Sequence, residues 1–334
     1  MIAPILSPGG TIGICSPSHV ANFERYQPIL YQLRRRGFQV IEAEHLYSSS
    51  DTYLATPQER ADDLNQLIHD PAVQLILFGG GEGGNELLPM IDYDYLRAHP
   101  KRLCSYSDGT FVLSAVWSRT GVTTYYGMAP GAFADLREYD YANFVQHLMG
   151  SAEAHIANTP WQPLTGGRAQ GVLMGGYLRN VALMLGGDYL RYDRQQKYVL
   201  FLEDHEKFGD RAYVSAMLSH IEQSGVMACV SGLLVGHYSE TVYPELLSRL
   251  TRLGQRWGIP VVYCDDFGHG RSHAILDIGR RVELNADQGT MTYLDLSSPV
   301  SLPKFIAPGA QEICCAARRD CCIIIGRSRR RYPP

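Results

Sequence analysis

Val73-Gln-Leu-Ile-Leu-Phe78 runs straight into Gly79-Gly-Gly-Glu-Gly-Gly84. A short, mostly apolar run closed by glycines reads as a buried strand that ends in a loop whose backbone can approach a ligand closely. Upstream, Pro57 to His69 puts Leu64, Leu67 and Ile68 on one helical face, and Phe38 to Ile41 reads as another strand. Further upstream, residues 24 to 36 carry Tyr26, Ile29, Leu30 and Leu33 at helical spacing before Gly37, and Thr11-Ile-Gly-Ile-Cys15 is a strand closed by Ser16-Pro17-Ser18. Strand and helix alternate, which predicts an α/β fold built on a parallel sheet with helices on both faces. Ligands in such sheets bind beyond the carboxyl ends of the strands. The glycine run lies there, and so does Ser105-Tyr-Ser-Asp-Gly-Thr110, which follows Leu103 and Cys104 and precedes a helix-like run from Thr110 to Ser118.

Downstream, the polar stretch around 141–165 reads as a linker after a first domain over 1–140. A second domain, 166–307, opens on Val172-Leu-Met-Gly-Gly176 and a helix-like run from Leu178 to Leu185. It continues with the strand Tyr198 to Leu202, which ends in Glu203-Asp204, and with strands at 230–235 and 261–263. Val282 to Asn285 and Met291 to Leu294 form a closing hairpin around Asp287-Gln-Gly289. From 308 to 334 the character changes. Six arginines against two acids give this tail +4, and Cys314, Cys315, Cys321 and Cys322 crowd into it. It reads as a disordered or non-native extension; the paired cysteines lack the separated CxxC spacing of common zinc sites.

With 334 residues, 45% hydrophobic and 19% charged, the chain can bury a sizeable core. A net charge of −4 gives no basis for a nucleic-acid or anionic-membrane partner. The N-terminus lacks the pattern of a secretory signal, and no apolar run is long enough for a membrane span, so a cytoplasmic location is expected. Cys15, Cys104, Cys229 and Cys264 sit in apolar settings and read as buried reduced thiols.

Four features carry chemistry. Ser107 stands at a strand-to-helix turn, where a nucleophile's Oγ is exposed and the next amide, that of Asp108, points at the same spot; a plain helix cap has the same appearance. The glycine run has neither a Walker lysine nor a dinucleotide fingerprint, which disfavours a dehydrogenase; the amides of Gly80 or Gly81 are candidate oxyanion donors, and a ligand-free turn is the alternative. Glu203 or Asp204 at a strand end can orient a histidine or simply meet solvent. His269, between Gly268 and Gly270, has the freedom of a general base or of a turn residue. Together they supply nucleophile, oxyanion donors, base and orienter, the requirements of acyl transfer.

In that order, GGTIGICSPS, YLATPQERADDLNQLIHDP, GGGEGGNELLPMIDYD, SYSDGT, TGVTTYYGMAP, VLFLEDHEK and FGHG resemble segments of the LD-carboxypeptidase family of serine peptidases, over about residues 9 to 305. That family includes murein tetrapeptide carboxypeptidases and microcin C immunity peptidases. The resemblance implies a Rossmann-like N-terminal sheet and a smaller β-rich C-terminal domain. It implies a triad of Ser107, His269 and Glu203, with Asp204 and Glu206 as alternatives for the acid, and an oxyanion hole from Asp108 and a glycine-loop amide. It also implies a homodimer with no metal or other cofactor. The expected substrate is a murein-derived peptide cut at an L,D bond before a terminal D-amino acid; the alternatives are a peptidyl-nucleotide conjugate, or an inactive binding protein of the same fold. The chain departs from the family at Gly79, where many murein-type members have arginine. It departs again at Glu82, where an aromatic is usual, at Tyr177, where asparagine is common, and at LDIG over 276–279. Glu82 and Tyr177 are therefore candidate substrate-binding residues, and Trp161 with Tyr177 would be the aromatic pocket for a base.

Overall fold

The computed structural model describes residues 1–294 of the chain. Its first half contains β1 (Thr11–Cys15), α1 (Phe23–Arg35), β2 (Gln39–Glu42), α2 (Pro57–His69), β3 (Val73–Phe78), α3 (Tyr93–Ala98), β4 (Arg102–Ser105), α4 (Thr110–Thr120), β5 (Thr124–Tyr126) and α5 (Glu138–Leu148). The second contains β6 (Gln162–Thr165), β7 (Arg168–Tyr177), α6 (Leu178–Met184), β8 (Tyr198–Glu203), α7 (Arg211–Gln223), β9 (Val230–His237), α8 (Pro244–Trp257), β10 (Val261–Gly268), β11 (Leu276–Ile278), β12 (Arg281–Asn285) and β13 (Thr290–Tyr293). The tail read over 308–334 lies outside the described residues.

Local chemistry accounts for these elements. Helix α2 starts at a capping box: Thr56 accepts from the Glu59 amide, Glu59 accepts from the Thr56 amide, and Pro57 occupies the first helical turn. Its Leu64, Leu67 and Ile68 are buried, as the periodicity predicts. Strand β3 is buried at five of its six positions, so it reads as a continuous apolar run and does not alternate. Every residue of α4 except Arg119 is buried. It packs on β5 of one sheet and β7 of the other, which explains a helix with no polar face.

The first sheet has the order β11-β5-β4-β3-β1-β2. It is parallel from β2 through β5, and only β11 runs antiparallel. The strand order reverses between β1 and β3, which opens a crevice at their carboxyl ends. The second sheet has the order β13-β12-β7-β8-β9-β10-β6. Its core β7-β8-β9-β10 is parallel and is wound through α6, α7 and α8, with antiparallel strands at both edges. The fold is thus mixed α/β with a parallel-rich first sheet and a β-rich second half. Short β11, contributed by the second half, completes the first sheet.

The stretch read as a linker begins inside α5. Further on it is pinned by buried Asp266, which accepts hydrogen bonds from the Asn158 and Thr159 amides, the Thr159 hydroxyl, His155 and Trp161. Cys15, Cys104, Cys229 and Cys264 are buried free thiols. Among the described residues no helix is long and apolar enough to cross a membrane.

Candidate active site

The carboxyl ends of both sheets converge on one cavity. Ser107 follows β4 at the entrance to α4 and holds φ = +55°, in the left-handed region that a non-glycine residue rarely occupies. That conformation turns the side chain out of the strand-to-helix corner. The Ser107 hydroxyl lies 3.0 Å from His269 Nε2, and His269 Nδ1 lies 2.9 Å from Glu203 Oε2. With Nδ1–H donating to the carboxylate, Nε2 is left to accept the serine proton. Glu203 ends β8 fully buried, and Asp204 and Glu206 make no hydrogen bond to His269 among the described residues. Asp204 accepts from the His205 amide, and Glu206 from the Tyr243 hydroxyl.

The glycines beside these groups are steric requirements. A Cβ on Gly268 would stand 2.9 Å from Glu203 Oε2, and one on Gly270 would stand 2.6 Å from the His237 ring. A Cβ on Gly80 would lie 2.6 Å from that of Ser107. Gly81 has φ = +148°, and the Glu82 amide behind it donates to Ser18 O at 2.8 Å, which ties the glycine loop to the end of β1. The Asp108 carboxylate accepts from the Gly84 amide at 2.7 Å and from Asn180 at 3.0 Å, so it staples the glycine loop to α6. The amides of Asp108, Gly80 and Gly81 donate no hydrogen bond among the described residues. Asp108 follows Ser107 directly, and Gly80 approaches its side chain.

The sequence reading did not anticipate Tyr126. Its hydroxyl accepts from the Ser107 amide at 3.0 Å and donates to Glu203 Oε1 at 2.5 Å. Both carboxylate oxygens of Glu203 are therefore engaged, and the Ser107 backbone is tied through Tyr126 to the carboxylate that His269 meets. No local motif marks this role; it arises because β5 lies next to β4.

Electrostatics follow from burial. Burial alone would lower the His269 pKa, but the Glu203 charge and hydrogen bond, helped by Asp204, carry it above its ordinary value. Burial pushes the Asp204 carboxyl up to about 7. His19, which also lines the cavity, is driven down to about 4 by burial.

The cavity is about 410 Å³. Tyr106, Tyr177 and Phe208 surround the His269 ring, with centroids at 5.1, 5.2 and 5.4 Å. Tyr177 is set by two glycines of positive φ, Gly175 and Gly176, and by a hydrogen bond that its backbone N–H donates to Thr110 Oγ1 at 2.9 Å. Glu82 stands at the rim, 3.7 Å from Arg179. Trp161 is not part of the lining; its indole N–H is bound to Asp266 instead, so the expectation of an aromatic pocket from Trp161 is corrected. Among the described residues no group of three or more His, Cys, Asp or Glu is arranged to hold a metal.

Comparison with known proteins adds the following. The family model of the LD-carboxypeptidase N-terminal domain matches residues 12–127, and that of the C-terminal domain matches 170–284. A putative carboxypeptidase of Streptomyces coelicolor is 32% identical over 302 residues, covering 86% of this chain and 94% of that protein. A probable murein peptide carboxypeptidase of Bacillus subtilis is 25% identical, covering 85% and 92%. The microcin C7 self-immunity protein of Escherichia coli is 26% identical, covering 86% and 93%. A solved structure of a microcin C7 self-immunity protein in its wild-type apo state superposes with a TM-score of 0.80 at 24% identity, over 90% of this chain and 100% of that one.

Proposed function

The chain belongs to the LD-carboxypeptidase family of peptidases, and from that premise we propose that it is a serine carboxypeptidase that hydrolyses an L,D-peptide bond before a terminal D-amino acid in murein-derived peptides. The observation that carries this reading is the continuous chain from the Ser107 hydroxyl through His269 to buried Glu203, at 3.0 and 2.9 Å.

Ser107 Oγ attacks the scissile carbonyl carbon while His269 Nε2 takes its proton. The Asp108 amide and that of Gly80 or Gly81 hold the developing oxyanion, at the amino end of the buried helix α4. His269 returns the proton to the departing amine, and the C–N bond breaks to leave an acyl-enzyme on Ser107. Water, deprotonated by His269, then attacks the ester and frees Ser107. Glu203 holds and stabilises the imidazolium, and Tyr126 keeps it in line with the nucleophile. No metal or cofactor enters these steps. We read the protein as cytoplasmic and homodimeric, with a first domain over 1–140 and a second over 166–307.

A second reading is an immunity-type peptidase that cuts a peptidyl-nucleotide conjugate. It is favoured by the aromatic walls from Tyr106, Tyr177 and Phe208 and by the likeness to the microcin C7 self-immunity protein. An inactive binding protein is disfavoured by the complete Ser107–His269–Glu203 chain. The experiment is a comparison of kcat/KM for a murein tetrapeptide and for an aminoacyl sulfamoyl adenosine. The tetrapeptide reading requires the first to exceed the second by at least about tenfold, about 1.4 kcal/mol of transition-state discrimination. The reverse order would make the conjugate the substrate.

A further inference from the structure

Permanent positive charge is scarce in the cavity. Among the described residues that line it, Arg179 is the one guanidinium, and no lysine joins it. Arg179 stands in the first turn of α6, two residues beyond Tyr177. Its guanidinium lies over the Tyr177 ring, 5.5 Å from the centroid, and its Nη1 is 3.7 Å from Glu82 Oε1.

The two members of this pair are held unequally. The Arg179 side chain is 28% exposed, whereas that of Glu82 is 75% exposed. An aromatic face fixes the guanidinium, while the carboxylate hangs from a loop into solvent. An exposed pair of this kind is worth only about 0–1 kcal/mol. Another carboxylate can therefore take the guanidinium at little cost, particularly one that pairs with it in a two-pronged geometry.

The location suits such a replacement. A Cβ on Gly80 would stand 3.1 Å from Ser107 Oγ. Glu82 is two residues further along the same loop, at most about 7 Å of chain. The Tyr177 ring bridges the two sites more tightly: its centroid is 5.2 Å from that of His269 and 5.5 Å from the guanidinium, and all three line the cavity that holds Ser107. A carboxypeptidase differs from an endopeptidase in requiring a free carboxylate one residue beyond the scissile carbonyl, and a partly desolvated cation discriminates against a chain that lacks it.

We propose that Arg179 is the specificity-determining residue of this cavity: it binds the terminal carboxylate of the substrate, and Glu82 is the resting partner that the substrate displaces. This rests on the serine-carboxypeptidase reading above and deepens it. Glu82 then acts on the substrate as a competitor for Arg179 and does not itself read a cationic group.

The test is equilibrium binding by calorimetry to the full chain carrying Ser107→Ala, so that no turnover occurs, with a murein tetrapeptide and its C-terminal carboxamide as probes. The free acid is expected to bind about 10- to 100-fold more tightly than the amide. Adding Arg179→Met should collapse that ratio to below about threefold, and Arg179→Lys should restore part of it. Adding Glu82→Gln should tighten the free acid severalfold. A ratio that survives Arg179→Met while Arg179→Lys binds normally would overturn the proposal, as would weaker free-acid binding in Glu82→Gln. Hydrolysis by the wild type is measured alongside. Arg179-dependent binding without hydrolysis would remove the peptidase reading and leave the carboxylate site standing. Hydrolysis with an Arg179-independent ratio would do the opposite, and absence of binding by either peptide would remove both.

Discussion

His269 occupies a position where two effects oppose. Burial disfavours its charged form, and the Glu203 carboxylate favours it more strongly, so the imidazole titrates above 6.5. A general base works only when neutral, so kcat/KM should rise with pH along a limb whose midpoint lies above 6.5. Glu203→Gln removes the charge that holds this pKa up. The His269 titration, followed by NMR, should move to lower pH, and activity should fall by roughly 10²- to 10⁴-fold as the imidazole loses its oriented tautomer. A titration that stays in place would show that Glu203 does not set the base. Gly80→Ala should abolish most activity and lower the melting temperature, because its Cβ would press on the Ser107 Cβ at 2.6 Å. A fully active alanine variant would show that the close approach of the glycine loop to Ser107 is not required. Singly, Ser107, Glu203 and His269 read only as ambiguous residues at strand ends; it is their order along the chain, shared with the family, that joins them. Tyr126 and Arg179 were not legible, since their roles come from β5 lying beside β4 and from α6 approaching the glycine loop, and neither proximity leaves a local pattern.

At the scale of elements, the end of β8 delivers two adjacent acids into different surroundings. Glu203 meets Tyr126 and His269, whereas Asp204 accepts from the His205 amide and lies beside Tyr177. Burial raises Asp204 from 3.8 to about 7. A carboxyl whose folded pKa exceeds its unfolded one favours the fold while protonated. Its contribution is therefore complete below about pH 4 and is lost as pH rises through about 7. Asp204→Asn should consequently gain thermal stability relative to wild type at pH 8 more than at pH 5. An equal difference at both pH values would contradict the burial argument. The strands β1, β3 and β8 and helix α2 were readable because apolar runs and a capping box are local signals. Helices α5, α7 and α8 do not stand out in the sequence as the strands do. In α8, Leu246, Leu250 and Leu253 form a buried stripe behind Pro244 in the first turn, a pattern overlooked between two apolar strands. Three-residue β11 is too short to show any period, and only its antiparallel partner β5 makes it a strand.

Across the whole molecule, β11 links the two halves, and charge is buried where it does so. Asp277 in β11 binds His147 of α5 at 2.6 Å and Arg280 at 2.9 Å, and Arg280 also donates to Ala152 O at 2.8 Å. Removing one member of such a buried set strands the others without a partner. Asp277→Ala should therefore cost about 3–5 kcal/mol, and calorimetry should show both halves melting in one earlier transition. Two separated transitions would mean that β11 does not couple them. The same arrangement holds the carboxyl ends of the two sheets around a single cavity, with Ser107 from one sheet and Glu203 and His269 from the other. The proposed role of this junction is to cut an L,D-peptide bond through Ser107. It is tested most directly by incubating a murein tetrapeptide with wild type and with Ser107→Ala and following terminal D-alanine by mass spectrometry. Release by wild type and a drop of at least about 10⁴-fold in the variant are expected; equal release by both proteins, or none by wild type, would rule that role out.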